Sequence, residues 1–92
     1  MEKGCVKELF ANPVEIEKLE ECARKILKYV TMININGKIL LKYKGNKVGF
    51  LIIKAPVEEI KVVRYWIGPF CIKSELSYQN KFVGVLVIKN EF

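Results

Sequence analysis

The sequence predicts an α+β fold in which one N-terminal amphipathic helix packs on an antiparallel sheet of about six strands. Apolar residues recur at helical spacing in the first third of the chain, and their period changes from 3.6 to 2 after about residue 30. Short turn signals then separate the later apolar segments. With 92 residues, of which 51% are apolar and 28% charged, the chain is expected to form a single folded domain over residues 1–92.

The helix is predicted over residues 13–29. Asn12 is a candidate N-cap, Pro13 suits a first helical position, and Glu15 could complete a capping box. The predicted buried stripe consists of Ile16, Leu19, Ala23, Ile26 and Val30. Ahead of it, one short amphipathic turn is expected from Cys5, Val6, Leu9 and Phe10.

A first three-stranded meander is predicted from the turn signals Asn36-Gly37 and Gly45-Asn46. If both are two-residue loops, counting across them places one set of apolar residues on a single sheet face. That set is Val30, Met32, Ile39, Leu41, Tyr43, Val48, Phe50 and Ile52.

A second meander follows a connection at residues 54–59, where Pro56 disfavours a strand. Its turns are expected at Gly68-Pro69, which could be one residue longer, and at Gln79-Asn80. The predicted core face here consists of Val63, Tyr65, Ile67, Phe70, Ile72, Leu76, Val83, Val85 and Val87.

The opposite sides of these strands are too apolar for a fully solvated face. The apolar residues predicted on this outer side are Ile33, Ile35, Leu40, Leu51, Ile53, Val62, Trp66, Cys71, Phe82, Leu86 and Ile88. Either the sheet is strongly curved, as in a half-barrel, so that the meanders pack on each other, or a partner covers the apolar side chains. We expect a homo-oligomer, most simply a homodimer. The predicted interface residues are Ile33, Ile35, Leu40, Leu51, Ile53 and Trp66.

The three cysteines show neither a C-x-x-C motif nor any histidine that could complete a zinc site. A disulfide framework is therefore not expected, and Cys22 and Cys71 are predicted to be buried free thiols.

The charged start of the sequence lacks the apolar core of a signal peptide, and no apolar run is long enough to cross a bilayer. We therefore expect a cytoplasmic protein with no membrane contact. Its Glu, Lys and Ile content is typical of thermophiles.

Enzymatic chemistry is not expected, because the chain contains no histidine and its acids are all glutamates. No phosphate-binding glycine motif is present, and neither a cofactor nor a metal is predicted. Ser74 and Ser77 are interpreted as strand or turn residues, and Glu58-Glu59 as a solvated pair rather than a metal site.

Charge is the most informative feature, since residues 22–57 carry eight cations and no acid within a chain of net charge +6. Lys38, Lys42, Lys44 and Lys47 are predicted to form a basic β-hairpin that could contact nucleic acid. The alternative is that these lysines keep an edge strand soluble.

Three functions are consistent with the sequence. The first is a non-enzymatic interaction module that self-associates through an apolar sheet face. The second is a nucleic-acid-binding protein that uses the basic hairpin. The third is a domain that binds a small apolar ligand in a pocket lined by Phe50, Tyr65 and Phe70.

Overall fold

The computed structural model describes residues 3–90, so residues 1, 2, 91 and 92 of the predicted domain lie outside the described part. Two helices precede six strands, and a short 3-10 helix, Val57–Glu59, links the two halves of the sheet. The elements are α1 (Lys3–Ala11), α2 (Ile16–Leu27), β1 (Thr31–Ile35), β2 (Lys38–Tyr43), β3 (Asn46–Leu51), β4 (Lys61–Ile67), β5 (Cys71–Tyr78) and β6 (Lys81–Lys89).

The strands form one antiparallel sheet in the order β1-β2-β3-β6-β5-β4. The predicted α+β fold with two three-stranded meanders is confirmed, and the meanders join side by side through β3 and β6. The sheet does not close into a barrel, so it keeps two edges, β1 and β4.

The register of the first hairpin is confirmed, whereas that of the second is not. Asn36 and Gly37 adopt positive φ in a two-residue turn, and Ile35 pairs with Lys38. The next turn lies at Lys44-Gly45, one residue earlier than predicted, and the register shifts after Leu41. The bulge moves the end of β3 to the opposite face from the one predicted.

The second meander contains two more irregularities of this kind. The Gln79-Asn80 turn is confirmed, but the register shifts between Leu76 and Ser77, opposite β6, and again between Val62 and Arg64. The Gly68-Pro69 turn is longer than two residues, because β4 pairs Ile67 with Ile72.

The sheet therefore has a covered face, which packs against the helices, and an open face. The predicted core residues Ile39, Leu41, Val48, Ile72, Leu76 and Val83 are buried, as are Leu51, Val62, Leu86 and Ile88, which were predicted on the outside. Other predicted core residues were wrong: Ile52, Val63, Ile67 and Phe70 are exposed, and Phe50, Val85 and Val87 lie on the open face.

Two glycines allow the meanders to join. A Cβ atom on Gly49 would collide with the Val85 carbonyl oxygen, and one on Gly84 would collide with that of Phe50. Glycine in a strand interior marks such a close backbone approach. Both residues lie in the three-residue ladder between β3 and β6.

The helical layer differs from the prediction at its start. The segment before residue 12 is a full helix, and α2 begins at Ile16 with Glu15 as N-cap, without a side-chain cap. The Asn12 side chain instead donates a hydrogen bond to the Glu8 carbonyl oxygen at 3.2 Å, at the end of α1. Pro13 follows that end, as prolines often do after a helix.

A disulfide joins Cys5 in α1 to Cys22 in α2, so the expectation of a free Cys22 was wrong. Cys71 is the remaining cysteine and the unpaired thiol of the described chain. It is half-buried, whereas a buried position was predicted. The chain turns at Pro13 and brings the two helices together, with the paired Cα atoms 5.6 Å apart.

Candidate functional site

The open face carries a continuous apolar strip across the middle of the sheet. Strand pairing places Ile33, Leu40, Phe50 and Val85 in one row from β1 to β6. No helix of the described chain lies on this side, because the buried cluster that contains both helices is on the covered face. The strip is consequently available to a partner.

Three aromatic side chains of the open face are accessible. Phe82 and Trp66 are 46% and 47% exposed, and Phe50 is half-buried. The Phe50 and Phe82 rings form an edge-to-face pair with centroids 6.3 Å apart. The Lys38 Nζ atom lies 4.4 Å from the Phe50 ring centroid, and the Lys73 Nζ atom lies 5.6 Å from that of Trp66. Aromatic surface and cations are thus interleaved.

Charge on the open face is strongly one-sided. Within the strands that the structure describes, the register places one acid there, Glu75, against seven cations. These cations are Lys38, Lys42, Lys47, Lys61, Arg64, Lys73 and Lys89.

The ion pairs of the described chain lie elsewhere. They join the cations of α2 and the residue that follows it, such as Lys25 and Lys28, to glutamates of the helices and of the 3-10 helix. The open face therefore carries positive charge that no carboxylate in the described chain pairs with.

The four lysines predicted to form a basic hairpin do not act as one cluster. Lys42 and Lys47 are direct cross-strand partners, Lys44 is in the turn near the Tyr43 ring, and Lys38 lies at the far end of β2. Like charges directly opposite each other are destabilising. An anionic partner would offset this repulsion between Lys42 and Lys47.

The position of β2 and β3 bears on both interpretations of these lysines. Both strands are interior, since β2 also pairs with β1 and β3 also pairs with β6. The lysines therefore do not protect a sheet edge. The hairpin is also not a free two-stranded ribbon of the kind that enters a major groove.

Most of the predicted interface residues lie on the open face. Ile33, Ile35 and Trp66 are exposed there, and Leu40 is half-buried. Leu51 is an exception, because the register shift in β3 turns its side chain into the core. Ile53 is exposed but lies beyond the end of β3.

The sequence predicted a ligand pocket lined by Phe50, Tyr65 and Phe70, and the structure contradicts this pocket. Phe50 is on the open face, whereas the Tyr65 side chain packs at the border of the core near Val14. Phe70 is exposed in the turn between β4 and β5. The aromatic residues are evident in the sequence, but the sheet face on which each of them lies depends on the bulges.

The remaining polar candidates show no catalytic arrangement. The Ser74 hydroxyl is buried and has no hydrogen-bond partner within residues 3–90. Glu58 accepts a contact from Lys28 Nζ at 2.9 Å, and this hydrogen bond holds the pKa of the Glu58 carboxyl below its usual range. Among the described residues, no group of three potential ligands is placed to hold a metal.

Comparison with protein-family models, with curated proteins and with solved structures finds no match to this chain. Neither of the two helices in residues 3–90 has the length and apolar character that a bilayer span requires.

Proposed function

We propose that this protein is a non-enzymatic binding module that holds single-stranded nucleic acid on the open face of its sheet. The observation that carries the proposal is the interleaving of Phe50, Phe82 and Trp66 with seven cations on one uncovered surface. Single-strand binders combine a basic surface that follows the phosphates with aromatic rings on which bases stack.

Single strands suit this surface better than duplexes do. The bases of a duplex are already stacked and its outer surface is phosphate, so exposed rings such as Phe82 and Trp66 would add little to duplex binding. Unpaired bases can instead lie flat on exposed aromatic rings, each such contact contributing about 1–3 kcal/mol. These rings lie on an open sheet surface, which does not have the shape that would fit a rigid duplex.

Self-association through the same face is the competing proposal. A symmetric dimer would bring identical patches together and so place the seven cations of one copy against those of the other. Among residues 3–90, each copy offers only Glu75 on this face in compensation. Like-charge juxtaposition across an interface is costly, which favours an anionic partner over a second copy here.

The experiment uses Trp66, which is the only tryptophan of the chain and therefore reports directly on the open face. Its fluorescence is followed while single-stranded DNA, single-stranded RNA or duplex DNA of about 12 nucleotides is added at low salt. We expect single strands to quench Trp66 and to bind more tightly than the duplex.

Two pairs of variants separate stacking from charge. Phe82→Ala should weaken single-strand binding about 5- to 150-fold, as the loss of one stacking contact does. Phe70→Ala, whose ring is exposed in the turn, should not. Lys73→Gln should reduce the log-log salt slope by about 0.7, whereas Lys25→Gln on α2 should leave it unchanged. The proposal would be refuted if none of the oligonucleotides bound. It would also be refuted if the duplex bound as tightly as the single strands and Phe82→Ala did not change the affinity.

A further inference from the structure

The two edges of the sheet are protected very differently. The β4 edge carries Lys61 and Arg64 and is interrupted by the register shift around Val63, which are two of the devices that prevent an edge strand from pairing. The β1 edge, Thr31–Ile35, has no charged residue, no proline and no register shift along its pairing with β2. One edge is closed to further strands and the other is open to them.

The side chains of β1 are exposed throughout, and apolar ones lie on both sides of the strand. Ile33 and Ile35 point to the open face, and Met32 lies on the opposite side; these three are 37%, 50% and 39% exposed. The helix α2 packs over β4, at the far end of the sheet. An uncharged edge strand with a regular register and exposed apolar side chains is a template for pairing with another chain.

We propose that β1 pairs antiparallel with β1 of a second copy, so that two molecules form one continuous sheet with twice the number of strands. Centred on Ile33, this register places Ile33 opposite its own counterpart and Thr31 opposite Ile35 of the other copy. The strand sequence TMINI contains no charge, so the antiparallel pairing brings no like charges together. This edge contact avoids the repulsion that disfavours a dimer through the open face.

The geometry has a consequence for binding. A two-fold axis perpendicular to the sheet leaves both open faces on the same side, and they meet at the row that contains Ile33 and Leu40. The dimer would then present the basic and aromatic surfaces of both copies on one side, joined by the apolar side chains of the two β1 strands. This inference does not depend on the proposed function, because the edge pairing can be measured without nucleic acid.

One five-residue strand from each copy buries little surface, and interfaces below about 1,200 Å² are typical of weak, reversible association. We therefore expect a concentration-dependent dimer in sedimentation velocity. Ile33→Lys should weaken dimerisation at least tenfold, because two lysines would face each other at the two-fold axis. Val63→Lys, the same change on the β4 edge, should have no effect.

Crosslinking supplies an independent test in a Cys71→Ser background. Directly opposed residues of antiparallel strands have Cα atoms about 4.5–5.5 Å apart, within the range that a disulfide spans. Ile33→Cys should therefore form a covalent dimer on mild oxidation and Val63→Cys should not. A protein that stays monomeric up to about 1 mM and does not crosslink at residue 33 would overturn the proposal. A dimer that Trp66→Lys dissociates would overturn it in favour of the open face, because Trp66 lies on β4, at the opposite edge of the sheet from β1.

Discussion

The covered and open faces belong to the same six strands, yet their side chains differ in almost every physical respect. Towards the helices the strands contribute fully buried residues such as Leu41, Leu76 and Leu86. Towards solvent they contribute half-exposed apolar and aromatic side chains among cations. The covered face forms the core, whereas the open face keeps apolar surface exposed that does not contribute to this core.

The charges show the same division. The helical layer carries acids and bases in nearly equal measure and arranges them in ion pairs at 2.9 to 3.9 Å. In the described part of the chain the open face holds seven cations and a single acid, and Lys42 and Lys47 lie directly opposite each other there. Unbalanced charge on interior strands is better explained by an anionic partner than by stability.

The largest effect is expected from two neighbouring residues that point to opposite faces. Leu41→Ala should lower the free energy of unfolding by about 2–5 kcal/mol, because Leu41 is fully buried. Leu40→Ala, on the open face, should lower it by about 1 kcal/mol or less. Denaturant unfolding of the two variants measures this difference. Similar losses at both positions would mean that the open face is also packed in the native protein.

Sequence patterns predicted the fold well wherever local chemistry determines it. Asn36-Gly37 and Gln79-Asn80 specify tight turns through residues that tolerate positive φ, and both turns are confirmed. The predicted helical stripe is buried at Leu19, Ala23 and Ile26, whereas Ile16 at its start is exposed. The division into two meanders followed from these signals and the break at Pro56.

Face assignments were less predictable, because each bulge adds one residue and inverts the alternation beyond it. Phe50 and Leu51 exchanged faces for this reason, and so did Val85 and Leu86. Bulges have no strong local sequence signal. The open face was consequently predicted as an apolar surface with Ile33, Leu40, Trp66 and Phe82, but without Phe50, which was assigned to the core.

An intermediate effect is expected from the Cys5–Cys22 disulfide, which lies in the helical layer and away from the open face. Its residues are 17 apart in sequence, and closing a loop of this size typically contributes about 2–4 kcal/mol. Reduction, or Cys5→Ser, should lower the unfolding free energy by that amount while the folded protein binds single strands with unchanged affinity. Cys71→Ser, measured without reductant, is the control. Loss of oligonucleotide affinity in parallel with stability would show that the two faces are coupled.

The smallest effect is expected from Glu58, whose exposed carboxylate contacts Lys28 at 2.9 Å in the helical layer. That hydrogen bond holds the pKa of Glu58 below its usual range, so the native protein binds this proton less readily than the unfolded chain does. The resulting stability is present above the unfolded-state pKa and is lost as the pH falls through the lower folded-state pKa. Glu58→Gln should therefore be slightly less stable than the wild type at neutral pH and equally stable in strong acid. High salt should remove the difference, because both side chains are exposed.

Glu59→Gln is the matched control, since the neighbouring carboxylate makes no ion pair within residues 3–90. Denaturation midpoints measured across a pH series test this directly. If Glu58→Gln remained less stable than the wild type in strong acid, the ion pair with Lys28 would not be the cause of the difference. The Glu58 carboxylate would then lack a stabilising partner, as the cations of the open face do.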